Sequence, residues 1–193
     1  MERNRMTEGG HRLQSVQKSA PGGIRHRGHG ETRAGAMGID RDQLRSLIDR
    51  TLQRMDLNSP SAIALLMGTA AQESRLGTYL RQLDSGPARG IFQMEPATEE
   101  DIWRNYLRGR LNLSDRIWVV SGVDGPNPWA LEGNILYQIA IARIHYLRVP
   151  NPLPGADDLP GLAAYWKRCW NTSAGAGTEQ QFRQSWRRFI GGM

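Results

Sequence analysis

Residues 59–74 read Ser-Pro-Ser-Ala-Ile-Ala-Leu-Leu-Met-Gly-Thr-Ala-Ala-Gln-Glu-Ser, a run that is apolar nearly all round a helical wheel. Such a helix cannot lie on a surface, so it must pass through the middle of the fold with other elements packed around it. Ser59 is a good N-cap, Pro60 suits the first helical position, and Gly77 is placed to close the helix through a left-handed residue. The partners such a helix needs recur at helical spacing. Leu44, Leu47, Ile48, Leu52 and Met55 predict a helix over 40–56. Leu131, Ile135, Leu136, Ile139, Ile141, Ala142, Ile144 and Leu147 predict one long central helix over 129–149, stopped by Pro150, Pro152 and Pro154. Pro96 opens a further helix with Glu99, Glu100 and Asp101 in its first turn, where the helix dipole favours acids, and with Ile102, Trp103, Tyr106 and Leu107 inward. A shorter element follows over 113–120. Two more helices are expected at 159–169 and 179–190, the second opened by a Thr178/Gln181 capping box and joined to the first through Gly175 and Gly177. The expected fold is mostly α, with one short loop and strand region as its exception.

Glu73 falls on the last turn of the apolar helix. Desolvation there penalises the ionised form, so the carboxyl can stay protonated near neutral pH and donate a proton. The plain alternative is a polar residue at a helix end. Opposite it runs Asp84-Ser85-Gly86-Pro87-Ala88-Arg89-Gly90-Ile91-Phe92-Gln93-Met94-Glu95. Gly86, Pro87 and Gly90 are turn formers that let backbone approach a ligand closely, and residues 91–94 read as a short extended stretch ended by Pro96. Alternation would place Ile91 and Gln93 on one side and Phe92 and Met94 on the other. An amide such as Gln93 beside an acid can bind a sugar acetamido group or a hydroxyl. Together the two segments suit an acid catalyst facing a polymer-binding groove.

Glu73-Ser74, then Gly90-Ile91-Phe92-Gln93, then Ala163-Ala164-Tyr165 follow the three-motif order of the lysozyme-like superfamily, and the chain resembles soluble lytic transglycosylases and goose-type lysozymes. The first two segments are also similar to small muralytic proteins of tailed phages. The resemblance covers residues 39–190, and the first two motifs are its specific part. It implies a lysozyme-like helical domain over 39–193 with a small loop and β lip beside the cleft. It further implies cleavage of the β-1,4 bond between N-acetylmuramic acid and N-acetylglucosamine in peptidoglycan, without a cofactor. By the same resemblance Glu73 is the general acid, Ser74 supports the helix end or the substrate, and Gly90 and Gln93 belong to the sugar subsites. The third motif departs from the pattern. Ala-x-Tyr-Asn is usual, whereas Trp166 follows Tyr165 here, and an aromatic-Asn pair occurs only at Trp170-Asn171. Either Tyr165 approaches Glu73 through its hydroxyl, the register favoured here, or Trp170 and Asn171 line the groove. The rings of Tyr165, Trp166 and Trp170 suit a helix core equally well.

Two chemistries stay open. A hydrolase needs a second carboxylate, roughly 6.5–9.5 Å from the acid for inversion or about 5 Å for retention, and Asp84 and Glu95 are the acids of the loop-strand unit that could serve. A transglycosylase needs one acid, because the 6-hydroxyl of the muramic sugar closes the ring itself; the balance leans slightly to this route. The non-enzymatic alternative is a virion structural or adaptor protein with the same fold, and a glycan-binding module would share the groove.

Composition narrows the class further. Of 193 residues 39% are apolar, enough for one substantial core. Residues 1–38 hold seven Arg or Lys against three acids, so they carry +4 of the net +6, along with eight glycines and three of the four histidines. Lacking apolar periodicity, this Gly-rich basic extension is expected to be disordered. It can act as an electrostatic tether for an anionic wall, nucleic acid or a virion partner, or be inert sequence ahead of Met37-Gly38-Ile39-Asp40. Neither a secretory signal nor a membrane span is apparent, so delivery within a phage particle, or escape through a lesion, is the expected route to the wall. Cys169 is the sole cysteine, which excludes an intrachain disulfide and suits a small buried side chain. His145 is the one histidine outside the extension and reads as a groove or surface residue. That inventory disfavours zinc and cysteine peptidases of the wall, and no phosphate-cradling loop or dinucleotide fingerprint occurs.

Overall fold

The computed structural model describes residues 38–171 and 175–191, and this part of the chain is mostly helical. The expected disordered extension lies outside the described residues except for Gly38. Eight α-helices follow in order among the described residues: α1 Arg41–Arg54, α2 Pro60–Ser74, α3 Pro96–Asp101, α4 Leu111–Ser121, α5 Pro128–Gly133, α6 Ile135–Leu147, α7 Leu159–Trp166 and α8 Glu179–Phe189. None of them is long and apolar enough to cross a membrane.

Helix α2 occupies the centre, as its all-round apolarity demands. Ten consecutive residues from Ala62 to Ala71 are buried, and α8, α1, α7 and α6 pack around them. Ser59 caps its start, its Oγ accepting from Ala62 N at 3.1 Å. Gly68 permits the closest approach, since a Cβ there would collide with the Phe182 ring of α8. Helix α6 is the second core helix and divides its sides between two apolar clusters. Ile139, Ala142 and Tyr146 face α2, while Tyr137, Ala140, Ile141 and Ile144 face the cluster built with Leu113, Ile117 and Val120 of α4. Helix α8, by contrast, is amphipathic and sits on the outside, its predicted capping box formed by Thr178 and Gln181.

Several elements depart from expectation. The long helix over 129–149 is two helices, because Asn134 leaves the helical region (φ −104°, ψ 96°). Its Oδ1 accepts from Tyr137 N to cap α6, and its Nδ2 donates to Ser121 O, tying the break to the end of α4. Helices α3 and α7 do not end where their α hydrogen bonding does; each widens into a π turn, Ile102–Leu107 and Lys167–Asn171. Glu99 takes its first-turn place in α3, but its side chain turns inward. It is fully buried, and Oε1 accepts from Tyr137 Oη and from Asn127 N, which anchors the loop before α5 onto α3. Burial holds its carboxyl above the usual range, against the opposing pull of those two donors. Finally, residues 91–94 are not extended. The chain turns through Gly90–Gln93, with Gln93 itself left-handed (φ 47°), so the alternation expected along this stretch does not occur. Among the described residues, extended pairing is limited to two isolated bridges, Arg81 with Arg89 and Arg89 with Met94.

Candidate active site

Glu73 is carried by the final turn of α2, and the way that helix ends sets the site's geometry. Arg75 and Leu76 are both left-handed (φ 55° and 58°) before Gly77 (φ 81°), so the left-handed exit begins two residues ahead of the glycine predicted to make it. Left-handed L-residues cost on the order of 1 kcal/mol each. Against that cost, Leu76 becomes buried and its N–H donates to Ala70 O, while Arg75 N donates to Ala71 O. Ser74 completes the stop. Its Oγ donates to Ile91 O at 2.6 Å and accepts from Gly77 N at 2.8 Å, joining the helix end to the turn opposite. Fully buried and so committed, Ser74 does not reach a substrate; of its two expected roles, only support of the helix end fits.

The turn across from Glu73 is held from behind. Gln138 is a polar residue within the apolar α6; its Oε1 accepts from Ile91 N at 2.8 Å and its Nε2 donates to Glu132 O. Arg81 and Arg89 both pair with the Glu132 carboxylate, fixing the two bridged segments to α5. Gly90 (φ 73°) is buried in this junction, where a Cβ would collide with Leu131 O and the Gln138 amide. Its glycine is therefore required by packing against α5 and α6, and Gly90 stands behind the cleft rather than among the residues that line it. Ile91, Phe92 and Met94 all turn inward, and Gln93 Nε2 donates to Gly90 O.

Between this turn and the Lys167–Asn171 π turn that follows α7 lies a cleft of about 580 Å³. Glu73, Gln93, Asp84, Glu95, Trp170 and Asn171 line it together, joined by Tyr79 and His145. Asp84 (φ 60°) and Glu95 are exposed on its rim, Asp84 on a 3₁₀ turn and Glu95 at the start of α3. Asn171 is steadied by Lys167, whose Nζ donates to Asn171 Oδ1 and to Gly175 O. Burial lowers the pKa of His145, so the ring is neutral at physiological pH; Nε2 then donates to Cys169 O at 2.9 Å, because a carbonyl only accepts. The imidazole meets Trp170 edge-on at 4.8 Å and so props that indole on the cleft wall.

Tyr165 does not take the place expected for it. Its side chain is buried, its hydroxyl donates to Asn151 O at 3.1 Å, and it is not part of the cleft. The neighbouring Trp166 reaches Glu73 instead, Nε1 donating to Oε1 at 2.9 Å. Burial pushes the Glu73 carboxyl up to about 7, and the Trp166 hydrogen bond works in the opposite direction by favouring the carboxylate.

Comparison of the chain with protein-family models, with curated proteins and with solved structures finds no match. The reading of this cleft rests on its own chemistry. A carboxylic acid poised near neutrality, one oxygen held by an indole and the other without a hydrogen bond among the described residues, can deliver a proton to a bound leaving group and recover it. Among the described residues no three His, Cys, Asp or Glu side chains gather as a metal site would need. Of the residues singled out from the sequence, the structure brings Glu73, Asp84, Glu95, Gln93, Trp170 and Asn171 to one cleft. Ser74, Gly90 and Tyr165 stand behind it. Trp166, Tyr79 and Gln138 were not foreseen as parts of the site. Leu159, Leu162, Ala163 and Trp166 lie on one helical stripe, a spacing that aims Trp166 at the core beneath Glu73.

Proposed function

We propose that this protein is a peptidoglycan-degrading glycosidase that cleaves the β-1,4 bond between N-acetylmuramic acid and N-acetylglucosamine, with Glu73 as its general acid. The observation that carries this reading is the state of Glu73: a carboxyl raised to about 7 by burial, placed on the wall of a cleft large enough for sugar rings. Trp170 lines the cleft with an aromatic ring and Asn171 with an amide suited to an acetamido group, while the Gln93 amide lies deeper, its Nε2 on Gly90 O and its Oε1 buried without a partner among the described residues. Asp84 and Glu95 are exposed on the rim of the same cleft and Glu73 is shielded; the reading takes the single-acid route, which needs neither rim carboxylate. Glu73 gives its proton to the bridging oxygen as the C1–O bond breaks and that oxygen keeps the bonding pair. The 6-hydroxyl of the muramic sugar then adds to C1 and returns its proton to Glu73, closing a 1,6-anhydro ring. Delivery to the wall within a phage particle is part of the same reading.

Incubation of purified peptidoglycan with the protein, followed by mass analysis of the released muropeptides, tests it. Anhydro ends are expected, and reducing ends would move the assignment to hydrolysis with a rim carboxylate as base. Glu73→Gln should lose activity by roughly 10²- to 10⁴-fold with its fold intact. Undiminished clearing by that variant would remove the proposed acid.

A further inference from the structure

Trp166 is the only side chain that hydrogen-bonds the Glu73 carboxyl among the described residues, and it does so from a position that leaves it no freedom. The indole is fully buried at the end of α7. Its ring stacks on Phe182 of α8 at 5.4 Å, and Phe182 in turn fills the space left by Gly68 of α2. On the other side the backbone passes close at Gly177, where a Cβ would lie 2.6 Å from Trp166 Cη2. An indole N–H is a donor and never an acceptor. Glu73 Oε1 must therefore be an accepting oxygen in both protonation states. A protonated carboxyl accepts best at its carbonyl oxygen, so with the indole on Oε1 the hydrogen is favoured on Oε2, which takes no hydrogen bond from the described residues, on a side chain that lines the cleft.

We propose that Trp166 is the positioning residue of this site: by occupying Oε1 it assigns the transferable proton to Oε2 and aims it into the cleft. The proposal rests on the muralytic reading only for the identity of the proton's acceptor. The chemical step is a proton passing from Oε2 to the glycosidic oxygen while the C1–O pair moves onto that oxygen, leaving a carboxylate whose Oε1 charge the indole N–H already faces. Trp166 thus serves both states, fixing the acid and stabilising the base that later takes a proton back. Without it the two oxygens become equivalent and the carboxyl can rotate, so the hydrogen is neither fixed to one oxygen nor held in line with the bound leaving group. Other ionisable groups around Glu73 do not substitute for it. Tyr79 donates its hydroxyl to the Glu73 backbone carbonyl rather than to the carboxyl, and Tyr146 of α6 commits its hydroxyl to Thr69. Arg75, which follows on the same segment, is exposed, and Asp84, Glu95 and His145 line the cleft without hydrogen-bonding the carboxyl.

The test replaces the N–H and keeps the shape. Benzothienylalanine at position 166 retains the fused ring and lacks the donor; Trp166→Phe is the encoded counterpart, and near-ultraviolet circular dichroism reports that each is folded. Carbon-13 titration of labelled Glu73, assigned by its loss in Glu73→Gln, should move upward on the order of one pH unit in both. On purified peptidoglycan kcat should fall on the order of tenfold at pH 6 with KM unchanged, and the alkaline limb of the profile should move up with the titration. The deficit then shrinks at pH 8, a pattern that a loosened core would not produce. An unmoved midpoint, or a loss of kcat equal at all pH values, overturns the proposal. If the native protein has no activity on wall while the midpoint still moves, the hold of Trp166 on the proton stands and the muralytic reading is what fails.

Discussion

Replacing Glu73 by Gln separates the acid from its surroundings, and the consequence for stability can be worked out without any substrate. Burial raises the folded-state pKa from 4.5 to about 7, so between those values the native protein holds a proton that the unfolded chain has released. Stability linked to a raised pKa is fully present below the unfolded value and is lost as pH rises through the folded one. At about 1.4 kcal/mol per pH unit, the loss amounts to about 3 kcal/mol by pH 8. Gln cannot ionise, and it keeps an acceptor oxygen for Trp166 Nε1. Thermal or urea unfolding of the native protein and of Glu73→Gln across pH 4 to 8.5 should therefore give curves that coincide near pH 4 and diverge above pH 5. Above pH 7 the variant should be more stable by about 3 kcal/mol, or roughly 6–12 °C in Tm for a chain of this size. All other titrating groups are common to both proteins and cancel in the difference. Parallel curves would show that the carboxyl is hydrated in the native state and would refute the burial argument for its acidity.

Two further substitutions probe the frame behind the site. Gly90→Ala meets both a left-handed backbone and a collision with Leu131 O, so it should cost at least about 2 kcal/mol in urea unfolding, and a neutral result would mean that the Gly90–Gln93 turn is not seated on α5. Tyr137→Phe removes a donor from the buried Glu99 and should destabilise by about 1–3 kcal/mol. Because burial raises the Glu99 pKa, the penalty should be smaller at pH 5, where the carboxyl is closer to neutral, than at pH 8; equal losses at both would contradict it.

Much of this architecture was legible because apolar periodicity and capping chemistry act locally. Helix α2, its Ser59 cap and the Thr178/Gln181 box follow from a few adjacent residues. So does the burial of Glu73, since a carboxylate on the last turn of an all-round apolar helix has little water near it. Departures arise where side chains distant in sequence outbid the local pattern. Residues 91–94 look extended by propensity, yet Gln138, 47 positions away from Ile91, takes its amide and Ser74 takes its carbonyl, and the chain is folded into a turn between those two anchors. Asn134 interrupts an apolar run that periodicity alone would carry through, although Gly133-Asn134 is a legible stop and cap once the side-chain bond to Ser121 is seen.

The third motif shows the same physics at one residue's resolution. Tyr165 and Trp166 are both buried, but successive residues on a helix point about 100° apart, so one cannot inherit the other's contact. The stripe through Leu159 and Leu162 selects Trp166 for the centre of the molecule, leaving Tyr165 to the loop at Asn151. A tyrosine hydroxyl facing Glu73 could either donate or accept, whereas an indole can only donate. Trp166, one position along the helix from Tyr165, is thus the donor at Glu73 Oε1, and an obligate donor there favours the proton of the acid form on Oε2.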